Sequence, residues 1–230
     1  MFSAKTINFQ EIRGERQRFN DNAVYQDLKQ KTINRNVNKE AYKRTIEAAG
    51  ISEKHFLEKC QDDDVFARVV SAGISIKASR QGSKDENLQI MTVNETVSNF
   101  GIILTSLSND AFRPRKNSGE ILSKKEYKTQ NLLKEDFYKS FDGRIEGKIN
   151  GWIFAKVVFG EGGHQDNVFE EADALCHWII QYNKTEYFII LIDTNLDAKF
   201  QALYYKYQAR QNILIGNHTK IQEFLFNLSQ

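Results

Sequence analysis

The chain has 230 residues, 40% hydrophobic and 12% aromatic, with a single proline; this is ample for a folded core and excludes a disordered polar chain. Its 32 basic and 30 acidic residues leave a formal charge of +2, which does not exclude nucleic acid as a partner, because the distribution of charge decides that contact. No apolar stretch reaches membrane-spanning length, and the start MFSAKTINFQEIRGERQRF lacks the apolar segment of a secretory signal. Two distant cysteines, Cys60 and Cys176, point to reduced core thiols in a cytoplasmic protein rather than a disulfide framework.

In chain order, the first third reads as helical. DNAVYQDLKQ, VNKEAYKRTIEAAG and SEKHFLEKCQDDDVFARVVSAG carry helical spacing, and the second ends on a glycine of C-cap type. ISIKASRQGSKDENLQIMTV reads as a strand, a polar loop and a second strand, and SNFGIILTSL is apolar but ambiguous. NDAFRPRKNSGE is a loop around Pro114, and SKKEYKTQNLLKEDFYKSF an amphipathic helix. In FDGRIEGKINGWIFAKVVF, Asn150-Gly151 between two strand-like runs signals a two-residue hairpin. A glycine-rich loop, GEGGHQDN, leads into the helix VFEEADALCHWIIQYN. Then come the core strand EYFIILID, the helix QALYYKYQARQ, the short strand NILIG and the closing helix TKIQEFLFNL. The second half therefore predicts a mixed β-sheet flanked by helices, an α/β fold with a helical N-terminal part.

Lys156 interrupts the apolar run WIFAKVVF. A lysine buried in such a strand needs a carboxylate partner or must lose its charge. Candidate partners are Asp142, which opens the hairpin, and Glu170 and Glu171, placed by the sequence in the first turn of the next helix. Carboxylates that hold Mg²⁺, beside a lysine that orients the attacking water, are the equipment of metal-dependent phosphodiester cleavage.

The order Asp142, hairpin, Lys156, glycine-rich polar loop and helix resembles the PD-(D/E)xK nuclease core, and GGHQDN running into a helix resembles type II restriction endonucleases in particular. The resemblance covers roughly Phe141–Gln181. Two features depart from that pattern. Phe154 stands where the family places a carboxylate, two residues before the lysine; a subgroup of restriction enzymes moves that carboxylate to the following helix, which implies Asp142 and Glu170 as metal ligands with Lys156 catalytic. A strict turn at Asn150-Gly151 also sets Asp142 opposite Phe159 and sends Lys156 to the other sheet face; a one-residue bulge at Gly147 would restore the match. Glu161 fits the unbulged register, and Glu171 is a further alternative to Glu170. Asn167 and Glu170 also have capping-box spacing, so Glu170 has a purely structural reading.

Two polar loops are candidates for DNA contact: Arg80, Gln81, Ser83 and Lys84 in the first, Arg113 and Arg115 in the second. His164, Gln165 and Asn167 would position the glycine-rich loop near DNA or water, while His177 reads as helix surface and Trp178 as packing. The sequence thus leads to an expectation of one domain, residues 1–230. Residues 1–130 would form a mainly helical part for DNA recognition and dimerisation, and residues 131–230 a nuclease core. The expected function is Mg²⁺-dependent, site-specific cleavage of double-stranded DNA. The resemblance implies a homodimer, a companion DNA methyltransferase and a bacterial or archaeal cytoplasmic location. A repair or junction-resolving nuclease of the same fold and a DNA-binding protein with a decayed nuclease core are the alternatives.

Overall fold

The computed structural model describes residues 2–159, 163–182 and 185–230. It divides into two compact units, Asn8–Gln81 and Met1–Ile7 with Gly82–Gln230. The divide thus falls at residue 81, not near residue 130, and residues 82–130 belong with the second unit.

The first unit holds α1 (Phe9–Lys29), α2 (Lys39–Ala49), α3 (Glu53–Asp62) and α4 (Asp64–Ile74). Each begins on a side-chain cap: Asn8, Asn38, Ser52 and Asp63 accept from the backbone N–H of Glu11, Ala41, His55 and Phe66. Gly50 closes α2 at φ +64°, as expected of a left-handed C-cap. Val24, Leu28, Phe56, Cys60, Ala67 and Ile74 pack into this unit's own core. The single helix read over residues 52–73 is two helices, because Asp63 is extended and caps α4.

The second unit runs α5 (Gly82–Val97), β1 (Ile102–Ser106), β2 (Phe112–Pro114), β3 (Ile121–Ser123), α6 (Lys124–Thr129), β4 (Gly143–Gly147), β5 (Gly151–Val158), α7 (Gly163–Tyr182), β6 (Tyr187–Thr194), α8 (Asp197–Tyr207), β7 (Ile213–Gly216) and α9 (His218–Ser229). Among the described residues, the main sheet has five strands in the order β1-β4-β5-β6-β7. The β1–β4 and β4–β5 ladders are antiparallel, and β5–β6 and β6–β7 are parallel. The expected mixed α/β sheet is therefore present. Alternation along its strands builds a core on each face. Trp152, Phe154, Phe188, Ile190 and Ile192 pack with Phe169, Leu175, Trp178 and Ile179 of α7 and Leu203 and Tyr207 of α8. Ile153, Ala155, Ile189 and Leu191 pack with Ile90, Val93 and Val97 of α5 and Ile221 and Leu225 of α9. No described helix is long and apolar enough to cross a membrane.

Further elements differ from the sequence reading. The segment LQIMTV, expected as a strand, lies inside α5, because Ile90, Val93 and Val97 recur at helical spacing and bury against the sheet. The Pro114 loop contains β2, paired antiparallel with β3. The amphipathic helix read over residues 123–141 shortens to α6, whose capping box joins Ser123 and Glu126.

The hairpin differs in a way that matters for the site. The last β4–β5 pair is Ile145 with Gly151; Glu146 and Gly147 continue β4 against β1 alone, residues 148–150 join the two strands, and Gly151 lies in β5. A Cβ at Gly151 would sit 1.9 Å from the Tyr187 carbonyl oxygen: this glycine is required by the close approach of β6, not by a turn. Gly147 has φ +105° and ends β4 in regular register with Ile102, without the expected bulge offset. The β4–β5 ladder ends at Gly143 opposite Ile153, and the Asp142 N–H donates to the same Ile153 O at 2.8 Å, one residue off the ladder's register. Two residues, Asp142 and Gly143, thus face the single residue Ile153; the one-residue offset lies at Asp142 rather than at Gly147, and it accompanies the approach of the Asp142 carboxylate to Lys156.

Candidate active site

Lys156 stands near the end of β5, a central strand buried at residues 151–155. Its Nζ donates to Glu86 Oε1 at 2.7 Å, Asp142 Oδ2 at 3.0 Å and the Ala155 carbonyl at 2.7 Å. The Phe154 ring centroid lies 5.0 Å from the ammonium. Asp142 Oδ2 also accepts from the Ala155 N–H at 2.9 Å, which fixes the carboxylate against β5. The three charged side chains are only 16–17% exposed. The carboxylate demanded by a buried strand lysine is thus a pair, one from the hairpin and one from α5.

Burial by itself lowers the affinity of the Lys156 amine for its proton, but the Asp142 and Glu86 carboxylates outweigh burial and hold the pKa above the usual 10.5. Burial pushes Asp142 above the usual 3.8 despite the opposing ammonium. Burial likewise raises Glu86 above 4.5, and the charge of Asp142 adds to that shift. Two carboxylates sharing one ammonium carry a net charge of −1 when all are ionised. A poorly solvated site with excess negative charge favours a second cation. Mg²⁺ uses one or two carboxylates, with waters and substrate phosphate completing its shell, so Asp142 and Glu86 fit it as a donor pair. Among the described residues, no group of three or more His, Cys, Asp or Glu side chains is placed to hold a metal.

Glu86 was not a candidate from sequence, because KDENLQ reads as a loop. The missed signal is the spacing Glu86, Gln89, Ile90, Val93, Val97, which puts the acid on the face of α5 that meets the sheet. Glu170, expected as the second ligand, is exposed on α7 and lines a cleft of about 410 Å³ with Phe154, Asn167, Lys116 and Lys139. Glu171 pairs with Lys139 at 2.7 Å. Because α7 begins at Gly163, Asn167 and Glu170 lie within the helix and do not form the expected capping box. Glu161 lies outside the described residues, as do the side chains of Arg80, His164 and Gln165.

The DNA-contact candidates separate by burial. Ser83 and Lys84 are exposed in the first turn of α5, Asn167 is exposed on α7, and Gln81 is half-buried. Arg113 is 6% exposed, pairs with Asp110 and donates to the Tyr138 carbonyl at 3.1 Å. It is a fixture of the β2 region and not an outward phosphate contact. Arg115 pairs with Glu120 at 2.8 Å, and its carbonyl accepts from Trp178 Nε1 at 2.7 Å. Trp178 is buried and His177 exposed, as their spacing predicted, and both cysteines are free and buried.

No protein-family model, curated protein or solved structure matches the chain.

Proposed function

We propose that the chain is a Mg²⁺-dependent endonuclease acting on double-stranded DNA, of the site-specific type II kind that the residues around Asp142 and Lys156 resemble. The observation that supports this reading best is the buried trio: one lysine held between two carboxylates whose combined charge leaves room for a cation. Asp142 and Glu86 would hold Mg²⁺, with Glu86 taking the part that the sequence suggested for Glu170. The ion would supply charge stabilisation at the scissile phosphate and a more acidic water. Lys156 would orient the attacking water and donate to a non-bridging phosphate oxygen. The greasy wall of Phe154 and Ala155 keeps that ammonium poorly solvated, which strengthens its hold on phosphate.

The reading carries with it a homodimer that cuts both strands, a companion methyltransferase and a location in a bacterial or archaeal cytoplasm. A second reading has one residue in its favour: Phe154 occupies a family carboxylate position, as it would in a DNA-binding protein whose nuclease core had decayed. Supercoiled plasmid incubated with the chain and Mg²⁺, with chelator as control, separates the readings. Discrete fragments support the site-specific enzyme. Smears, or cutting confined to branched DNA, support a repair or junction nuclease. Intact plasmid with a mobility shift supports the binder and overturns the proposal.

A further inference from the structure

We infer that Gln89 is a positioning residue for Lys156, anchored from behind by Asp193 and His218. Gln89 lies on α5 one turn beyond Glu86 and is fully buried. Its Nε2 donates to the Lys156 carbonyl at 3.2 Å and to Asp193 Oδ2 at 2.6 Å. Asp193, on β6, is 5% exposed. Its second oxygen meets His218 Nδ1 at 2.6 Å, and His218 Nε2 accepts the Ile7 N–H at 2.9 Å. Because Nε2 is the acceptor, Nδ1 carries the proton that Asp193 takes up as a hydrogen bond. Asp193 is therefore held on one side by α9 and presents its other oxygen to Gln89.

The chain of contacts fixes the donor that grips the backbone of Lys156. That backbone is where the lysine stem is rooted, so a shift there moves Nζ relative to Glu86 and Asp142. The alternative, that Gln89 merely fills space, does not account for its other end. Gln89 Oε1 is buried with no hydrogen-bond partner among the described residues. A buried unpaired acceptor is a cost that an apolar side chain of the same size would avoid. What the amide adds over such a side chain is the two hydrogen bonds of its nitrogen. Glu86 and Gln89 then act from one helix: the carboxylate holds the tip of Lys156 and the amide holds its root.

The inference rests on the endonuclease reading only in its cleavage measurement. Gln89→Ala and the pair Gln89→Glu with Asp193→Asn are compared with the natural chain by three readouts. These are thermal midpoint, the rate at which acetic anhydride labels Lys156 relative to exposed Lys125 (by mass spectrometry), and kcat and KM for Mg²⁺-dependent DNA cleavage. The double variant reverses the hydrogen bond between positions 89 and 193, the new amide on β6 donating to the new carboxylate on α5, but leaves no donor for the Lys156 carbonyl. Gln89→Ala is expected to label at Lys156 about tenfold faster and to lose kcat by a similar factor with KM unchanged. The double variant is expected to regain most of the thermal midpoint while Lys156 labels fast and kcat stays low. Unchanged labelling in a folded Gln89→Ala chain overturns the inference, and so does a double variant that recovers Lys156 protection along with its midpoint. If Gln89→Ala does not fold, the double variant decides. If the natural chain cuts no DNA, the endonuclease reading fails while labelling still tests Gln89.

Discussion

Replacing Lys156 with methionine keeps a flexible unbranched stem and removes the charge. In the natural chain, Nζ is 2.7 Å from Glu86 and 3.0 Å from Asp142, and each side chain is at most 17% exposed. The variant leaves two poorly solvated carboxylates facing each other. Removing one partner of a buried pair costs about 3–5 kcal/mol. Two adjacent carboxyls can relieve repulsion by retaining a proton, so the expected loss at neutral pH is near the lower bound, about 3 kcal/mol. Urea denaturation followed by tryptophan fluorescence reads the sheet unit selectively, since both tryptophans, Trp152 and Trp178, lie in its core. The midpoint should fall with an unchanged slope. The pH dependence has a definite sign. The folded-state pKa of Lys156 lies above the usual 10.5, so the lysine's own contribution, which the variant lacks, is present in the natural chain below that value and is lost as pH rises through the folded-state pKa. Asp142 and Glu86 are shifted upward. Their repulsion in the variant is therefore present above their folded-state values, and protonation relieves it as pH falls through those values. A variant as stable as the natural chain, or a deficit that stays constant while acid protonates both carboxyls, would refute the reasoning.

Gly151→Ala should prevent the sheet unit from folding, because its Cβ would lie 1.9 Å from the Tyr187 carbonyl oxygen and both groups belong to central strands. Circular dichroism and soluble yield check this, and a cooperative native-like melt would contradict it. Arg113→Ala should cost about 2 kcal/mol by stranding Asp110 and the Tyr138 carbonyl. Binding of duplex DNA by the folded variant, measured by mobility shift, should be unchanged. Burial raises the Cys60 thiol to about 11 and pushes Cys176 up further. Neither should react with a disulfide reagent until the chain is unfolded, and stoichiometric labelling at neutral pH without denaturant would oppose that.

What the sequence revealed follows from which constraints are local. The apolar run around Lys156 required a buried lysine and hence an acid, and Asp142 was within reach because a hairpin joins the two strands. The order of helices and strands after residue 141 was legible because Phe169, Ala172, Cys176 and Ile179 carry a helix period and EYFIILID is a continuous core strand. The register was not legible. Asn150-Gly151 has the composition of a tight turn, but the glycine is dictated by β6, a strand distant in sequence. Glu86 was not legible either, since 70 positions separate it from Lys156 and a run with β-branched residues such as Ile90, Thr92 and Val93 imitates a strand. Tertiary burial of one face decides that segment for helix. The role expected for Arg113 failed because a basic loop can spend its cations on its own carbonyls and acids.

The most direct measurement of the central claim is Mg²⁺-dependent cleavage of plasmid DNA by the natural chain, Glu86→Gln and Glu170→Gln, with folding of each verified by its melt. The account predicts cleavage by the natural chain, a loss of at least about 100-fold in Glu86→Gln and near-natural rates in Glu170→Gln. Full activity in Glu86→Gln, or loss confined to Glu170→Gln, would contradict it.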